Sequence, residues 1–276
     1  MKISLVMIAK NEEKNIAKSL ESVKGLVSEI IVVDSGSTDN TNKIAQSYGA
    51  KIFKRPFDNF SAQKNYALSL ALNEWVLHLD ADEVLSEQLK EEIKNAVETA
   101  QCDGFMLTRE NFFLGRKMKY SGVAKEDILR LAKKSLSKYV GGIIHEELSV
   151  DGKVGKLNNV FYHYTCQDLD GYFNKFEQYT TLAALKMAGK NKKANIIDIV
   201  FRPPIEFIKR YILKLGFLDG FEGFVWAVLG SYYTFAKYIK LYLLNKKQKC
   251  NPYAHAVKME DNLLKPEKDI KNISKF

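Results

Sequence analysis

The chain has 276 residues, of which 46% are hydrophobic, so it is long enough to bury one sizeable core. Its formal net charge of +9 predicts an anionic partner, such as nucleic acid, a membrane surface or a phosphorylated substrate. The three cysteines, Cys102, Cys166 and Cys250, are scattered without CxxC spacing, which argues against a disulfide framework and a zinc site. The short apolar run near residue 1 leads straight into charge, which favours a buried strand over a signal peptide.

The first hundred residues alternate between strand-like and helix-like patterns. The predicted strands are residues 3–9, 29–33, 51–53 and 75–79, and the predicted helices are 12–23, 38–48, 61–72 and 85–99. The segment EIIVV at 29–33 is continuously apolar, as expected of a strand buried on both faces. This order predicts a parallel sheet with helices on both faces.

After residue 104 the pattern becomes mixed. Residues 104–109, 128–132 and 160–165 are strand-like, and LSVDGKVG at 148–155 predicts a hairpin with an Asp-Gly turn. An α/β half is therefore followed by a half with antiparallel strands.

The last third is basic and aromatic. Residues 190–249 contain 12 Lys and Arg against 4 Asp and Glu. The longest charge-free run, 223–236, has 14 residues, whereas a membrane-spanning helix needs about 20. An anionic membrane surface is the expected partner, unless these helices only pack on the first domain with a solvated basic face. The predicted divisions are 1–190, a basic aromatic helical segment at 191–250, and a polar tail at 251–276.

Two acids follow the predicted strand in WVLHLDADE, at Asp80 and Asp82. The carboxyl ends of parallel strands border the ligand crevice of open α/β sheets. Carboxylates so close repel each other, and Mg²⁺ or Mn²⁺ would relieve the repulsion while binding substrate phosphates. The alternative is that these acids only cap the next helix.

A second strand end carries Asp34, in VVDSGSTDNT. Its carboxylate could accept a hydrogen bond from a nucleobase N–H group, beside a helix N-terminus that favours anions. The alternative is an ordinary helix-capping loop.

The motifs MIAKNEEKNI, VVDSGSTDNT, SAQKNYAL and LHLDADE, in this order, resemble those of family 2 glycosyltransferases. The resemblance covers about residues 1–110. It implies the GT-A fold, an α/β Rossmann-like mixed sheet with helices on both faces, here with a C-terminal helical segment. It implies that Asp34 binds the base, typically uracil, and that Asp80 and Asp82 hold Mg²⁺ or Mn²⁺ against the diphosphate. The residues it assigns to the nucleotide sugar are Ala9, Asn11, Glu12, Asp34, Lys64 and Asp80.

Three further segments, ILRLAKKS, GGIIHEEL and FYHYT, resemble a subgroup, the bacterial lipopolysaccharide inner-core β-1,4-glucosyltransferases. This resemblance implies Glu146 as the catalytic base, while the family's usual ED-like motif leaves Asp127 as the alternative. His163 is expected to complete the metal ligands with Asp82 and Asp80, or else to be a core histidine. Arg130 would meet phosphate or pair with an acid.

The resemblance implies an inverting enzyme that moves a hexose, expected to be glucose, from a UDP-sugar to a hydroxyl of a lipopolysaccharide core or similar glycan. We expect it at the cytoplasmic face of the bacterial inner membrane. No nucleic-acid partner is expected, because no RNA-reading motif is present. The alternatives are another donor (N-acetylhexosamine or mannose), another acceptor (capsule, lipid phosphate or protein), or a non-enzymatic basic membrane-binding protein.

Overall fold

A nine-stranded mixed β-sheet organises the chain in the computed structural model, which describes residues 2–142, 145–166 and 169–246. The strands of the described chain are β1 (Ile3–Ala9), β2 (Glu29–Asp34), β3 (Lys51–Lys54), β4 (Trp75–His78), β5 (Glu83–Leu85), β6 (Gly104–Phe113), β7 (Arg116–Lys117), β8 (Lys125–Lys133), β9 (Ser137–Gly142), β10 (His145–Val150) and β11 (Val154–Cys166). The main sheet runs β3-β2-β1-β4-β8-β6-β11-β5, with β7 paired to β6, and β9 and β10 form a separate two-stranded sheet.

The first four strands are parallel, as the alternating pattern predicts. Their register places Ala9 beside Asp34, so both strands end at the same edge of the sheet. β4 ends two residues before Asp80 and delivers it to this edge as well. The edge is therefore the place where a ligand crevice is expected.

Antiparallel strands extend the sheet beyond β4. β8 lies between β4 and β6 and runs antiparallel to both. β11 pairs in parallel with β6 and antiparallel with β5. The mixed character of the sheet predicted from the sequence is confirmed.

The hairpin predicted at residues 148–155 is wrong. β10 pairs with β9, and β11 pairs with β6 and β5. The Asp151–Gly152 turn therefore connects two sheets, and the Asp103 carboxylate fixes it by accepting a hydrogen bond from the Lys153 N–H at 2.9 Å. A turn sequence specifies a local reversal, but the 13-residue β11 finds its hydrogen-bond partners in distant strands.

Some helices cover the two faces of the main sheet, and the C-terminal helices pack with one another. They are α1 (Ile16–Ser22), α2 (Thr41–Ser47), α3 (Phe60–Leu70), α4 (Glu87–Thr99), α5 (Leu169–Gly189), α6 (Ile196–Ile208) and α7 (Gly220–Asn245). α1 and α4 bury Leu20 and Ile93 in one cluster, while α3 buries Ala67 and Leu68 in a second. The predicted arrangement, with helices on both faces, is confirmed.

Side-chain alternation along the central strands separates the two cores. On β1, Leu5 belongs to the α1/α4 core and Val6 to the α3 core. On β2, Val32 belongs to the first core and Val33 to the second. Strands that bury both faces must be apolar at every position, which explains the continuous apolar runs of the sequence.

The C-terminal helices pack around α7. Phe176 of α5 stacks on Tyr232 of α7, with ring centroids 4.9 Å apart. The Ser231 hydroxyl of α7 donates to the Pro203 carbonyl of α6 at 2.8 Å. No helix among the described residues has the length and apolarity needed to cross a bilayer. The predicted tail, 251–276, lies outside the described residues.

Candidate functional site

A cavity of about 430 Å³ opens at the carboxyl ends of β1 and β4. Seven of the predicted site residues line it: Ala9, Glu12, Lys64, Asp80, Asp82, Glu146 and His163. Arg109 and three aromatic residues, Phe57, Phe60 and Tyr179, also line it. The cavity thus combines charged groups with ring surfaces, as a site for a polar ligand with a flat ring requires.

The Asp80 carboxylate lies between two cations. Lys64 Nζ is 3.1 Å from one of its oxygens, and Arg130 Nη2 is 2.9 Å from the other. Arg130 also pairs with Glu83, whose side chain is 0% exposed and whose other oxygen accepts a hydrogen bond from the Asp80 N–H at 3.0 Å. Of the two roles considered for Arg130, contact with phosphate or pairing with an acid, this structure shows the pairing with acids.

These charges control the ionisation of the cluster. Burial alone would raise the pKa of Asp80, but the charges of Lys64 and Arg130 outweigh it and hold that pKa well below its usual range. Burial alone would lower the pKa of Lys64, but Asp80 reverses the effect and raises it. Both groups therefore stay charged at neutral pH.

Lys64 also connects the cluster to Glu146, whose carboxylate oxygen lies 3.0 Å from Nζ. Glu146 belongs to β10, where it faces Gly141 of β9. Asn65 of α3 anchors β9 by donating to the Tyr139 carbonyl at 2.9 Å and accepting from its N–H at 2.8 Å. One helix thus supplies Lys64 and positions the small sheet that carries Glu146.

Asp82 and His163 face each other across the cavity floor, with His163 Nε2 3.5 Å from an Asp82 oxygen. The other ring nitrogen, Nδ1, is 2.9 Å from the Asn111 side-chain oxygen, which fixes the ring orientation. Burial alone would lower the pKa of His163, but the hydrogen bond and charge of Asp82 outweigh it and raise it.

The chemistry of this pair suits a divalent cation that shares its ligands with a substrate. Both Asp80 oxygens already contact cations. Within the described residues, no group of three or more His, Cys, Asp or Glu side chains is arranged to hold a metal ion. Asp82 and His163 are therefore the pair in this cavity that could hold a metal ion, but only together with ligands from outside the protein.

Asp34 and Asn11 are not part of the cavity lining. Asp34 is 1% exposed, and its carboxylate accepts hydrogen bonds from the Gly36 N–H at 3.2 Å and the Ser37 N–H at 3.0 Å. Burial alone would raise the pKa of Asp34, but hydrogen bonds from the Ser37 and Asn42 side chains, together with those from the two N–H groups, outweigh it and lower that pKa. The Asn11 side-chain oxygen accepts from the Thr38 N–H at 2.8 Å. Both residues shape the turn that carries Ser35 into the cavity lining.

The two acids of the ED pair point to opposite faces of β8. Asp127 faces Thr108 and pairs with Lys156 at 2.6 Å, outside the cavity lining. Glu126 faces Arg109 and pairs with it, on the cavity side. Successive residues of a strand alternate between faces, so one position decides which acid can reach a ligand.

Several residues of the site were not identified from the sequence. Glu83, Arg109 and Tyr139 do not belong to a motif that the sequence alone identifies. Glu83 nevertheless directly follows the DAD triplet. His78 is 2% exposed, and its ring contacts Tyr139 at 5.3 Å between centroids. Burial and the nearby charge of Arg130 lower the pKa of His78 to about 3, so this histidine is a neutral core residue.

The sequence model of the family described as Glycosyl transferase family 2 matches residues 4–145. The chain belongs to this family. The matched region contains the carboxyl ends of β1 and β4 and the turn with Asp80 and Asp82, whereas Glu146 and His163 of the cavity lining follow it in the sequence.

Relatives of this family 2 glycosyltransferase align along most of their length. An uncharacterised glycosyltransferase of Rickettsia typhi is 30% identical over 260 residues, covering 90% of this chain and 89% of the relative. The lipopolysaccharide core biosynthesis glycosyltransferase LpsC of Rhizobium meliloti is 28% identical over 248 residues, covering 87% and 92%. The crystal structure of S. aureus TarS with UDP-GlcNAc is 16% identical, with a TM-score of 0.47 and coverage of 95% and 90%.

Replacing Arg130 should destabilise the fold strongly. Arg130→Met removes the closest cation of the buried Glu83 carboxylate and leaves only Arg109, at 3.8 Å, so we expect a loss of about 3 kcal/mol in the free energy of unfolding. Urea denaturation followed by circular dichroism measures it.

The matched control is Lys24→Met. Lys24 pairs with Glu21 at 3.3 Å, with side chains 73% and 56% exposed. Exposed pairs of this kind contribute about 0–1 kcal/mol. Equal, small effects of both changes would show that the buried cluster does not stabilise the fold.

Proposed function

We propose that this family 2 glycosyltransferase moves a hexose, glucose by preference, from a UDP-sugar to a hydroxyl of a lipopolysaccharide core or a similar cell-envelope glycan. The observation that carries the proposal is the convergence of Lys64, Asp80, Glu146, Asp82 and His163 on one cavity. The likeness to LpsC supports the acceptor class. Other donors, other glycan acceptors and a non-enzymatic membrane-binding role are the alternatives.

In this proposal the nucleotide lies along the edge formed by β1 and β2. Ala9 and Glu12 contact the base, and the turn held by Asp34 and Asn11 sets the shape of that pocket. Lys64 directs its charge toward the diphosphate. These roles are consistent with a cavity lined by Ala9, Glu12 and Lys64.

Asp82 and His163 would hold a Mg²⁺ or Mn²⁺ ion together with oxygens of the diphosphate, with Asp80 beside them. Such an ion stabilises negative charge that develops on a departing diphosphate. Asp80 contributes mainly by keeping Lys64 and Arg130 in position, since its two oxygens contact those cations.

Glu146 is the proposed base. It takes the proton of the acceptor hydroxyl while the hydroxyl oxygen bonds to the anomeric carbon and the bond from that carbon to the diphosphate oxygen breaks. Attack from the face opposite the leaving group inverts the anomeric configuration and needs no covalent intermediate. The support for Glu146 over Asp127 is its place in the cavity lining.

A membrane surface is the proposed location of the acceptor, at the cytoplasmic face of the inner membrane. α6 exposes an apolar stripe at helical spacing, formed by Ile197 (65% exposed), Phe201 (57%), Ile205 (60%) and Ile208 (50%). Arg202 and Lys209 flank it with side chains 53% and 51% exposed. An apolar stripe bordered by cations fits the interface of an anionic bilayer, where each cation contributes about 1 kcal/mol.

The donor and metal requirement test the proposed reaction directly. In the presence of Mn²⁺ and acceptor, we expect the full chain to release UDP from UDP-glucose faster than it releases UDP from UDP-N-acetylglucosamine or GDP from GDP-mannose. We expect Asp82→Ala to weaken Mn²⁺-dependent UDP binding by about tenfold or more, as measured by calorimetry. If the wild type binds UDP equally well with and without Mn²⁺, the proposed metal requirement is wrong. If it does not bind UDP at all, the proposed function is contradicted.

The base is tested by a pair of isosteric changes. Glu146→Gln should lower turnover by about 10²–10⁴ with little change in the donor KM, because the lost proton transfer belongs to the transition state. Lys64 keeps its pairing with Asp80 in this variant, so the fold should survive. Asp127→Asn is the matched comparison, and a folded but inactive Asp127→Asn enzyme beside an active Glu146→Gln enzyme would reverse the assignment.

Membrane binding is tested by sedimentation with vesicles of phosphatidylcholine alone or mixed with phosphatidylglycerol. The wild type should pellet with the anionic vesicles and be released by salt, because salt screens charges beyond about 8 Å at physiological ionic strength. Phe201→Asp should weaken pelleting. Leu72→Asp, at a position 77% exposed on the catalytic unit, is the control. Equal pelleting with both vesicle types would exclude the electrostatic contribution.

A further inference from the structure

A second, smaller cavity adjoins the proposed active site between β6, β8, β11 and α7. Its volume is about 110 Å³, and it shares Arg109 and His163 with the larger cavity. A volume of this size holds several water molecules and therefore one part of a sugar ring. A ligand in it would lie beside the pair formed by Asp82 and His163.

The lining of this cavity combines ring surfaces with polar groups. Trp226 of α7 and Phe113 of β6 are in edge-to-face contact, with ring centroids 5.1 Å apart. Arg109, Glu126 and Thr165 supply charged and hydroxyl groups. A sugar ring has the matching surface, with apolar C–H groups on its faces and hydroxyl groups around its edge.

The charges of the cavity favour a neutral ligand. Arg109 pairs with Glu126, and its Nη1 is 3.8 Å from a Glu83 oxygen. Its positive charge is therefore compensated mainly by Glu126, because Glu83 also pairs with Arg130. The Glu126 side chain is 48% exposed, so its carboxylate can accept hydrogen bonds from the hydroxyls of a ligand.

Contacts outside the cavity hold Trp226 in place. The Arg210 guanidinium lies over its ring at 5.6 Å from the centroid. The neighbouring Leu229 of α7 packs with Met118 and Phe113 in one buried cluster. The C-terminal helices thus contribute a fixed ring to the wall of a cavity that β6 and β8 otherwise form.

We propose that this cavity, the Trp226 pocket, binds a neutral sugar ring of the acceptor next to the site of transfer. The inference rests on the proposed function and adds to it the acceptor subsite and its charge class. Glu126 and Arg109 bind the hydroxyl groups, and Trp226, which the buried Phe113 supports, contacts the ring face. Glu126 is here a binding residue, and Glu146 remains the base.

The test is saturation-transfer NMR on the full chain with UDP and Mn²⁺, using methyl β-D-glucopyranoside, methyl α-D-mannopyranoside and methyl β-D-glucuronide as probes. We expect a signal from at least one neutral glycoside, and a weaker signal from the glucuronide. Glu126→Ala and Trp226→Ala should reduce the neutral signal several-fold while the UDP signal stays unchanged. Glu98→Gln, an exposed acid of α4 that lines neither cavity, should change neither signal.

The UDP signal separates the two proposals. No UDP signal from the wild type would contradict the proposed function, whereas a UDP signal without any neutral glycoside signal would overturn the Trp226 pocket. A neutral signal that survives Glu126→Ala, or a stronger glucuronide signal, would overturn it as well. If Trp226→Ala lowers the melting temperature, the decision rests on Glu126→Ala, whose side chain is half exposed and whose loss should leave the fold intact.

Discussion

The Asp80 carboxylate, fixed between Lys64 and Arg130, is the interaction on which the rest of the site depends. Charges taken out of water are stable only when each one has a close partner. The contacts that satisfy this requirement join α3, β8 and the end of β4 at one point. It also aligns Glu83, which binds both Arg130 and the Asp80 backbone, and so fixes the turn that presents Asp82.

The cluster links the two halves of the sheet to one another. Lys64 comes from α3 of the parallel half, whereas Arg130 comes from the antiparallel strand β8 of the main sheet and Glu146 from β10 of the two-stranded sheet. Because Lys64 contacts both Asp80 and Glu146, it joins the proposed diphosphate site to the proposed base. A change of Lys64 should therefore alter both sites, so thermal stability must be measured beside activity in every variant of the cluster.

The C-terminal helices connect the cavity to the outer surface. α7 places Trp226 at the wall of the smaller cavity and packs against α6, which carries the exposed apolar stripe. If the acceptor is anchored in a bilayer, the packed helices α6 and α7 can contact the bilayer surface and the acceptor at the same time. The basic residues of this segment then attract the surface, and the apolar stripe provides the short-range attachment.

The sequence by itself determined what depends on local pattern. Continuous apolar runs specified the parallel strands, and the position of Asp80 and Asp82 after such a run placed them at the ligand edge. The sequence could not determine which distant strands pair. The prediction of an Asp-Gly hairpin was therefore wrong, because β11 pairs with β6. It also left open whether Glu146 or Asp127 is the base, since a shift of one residue in register would move Asp127 to the other face of β8. Only the tertiary structure brings Lys64 to Glu146 and places Arg109 and Trp226 in one cavity, because such arrangements arise from the packing of whole elements and leave no short-range periodicity in the sequence.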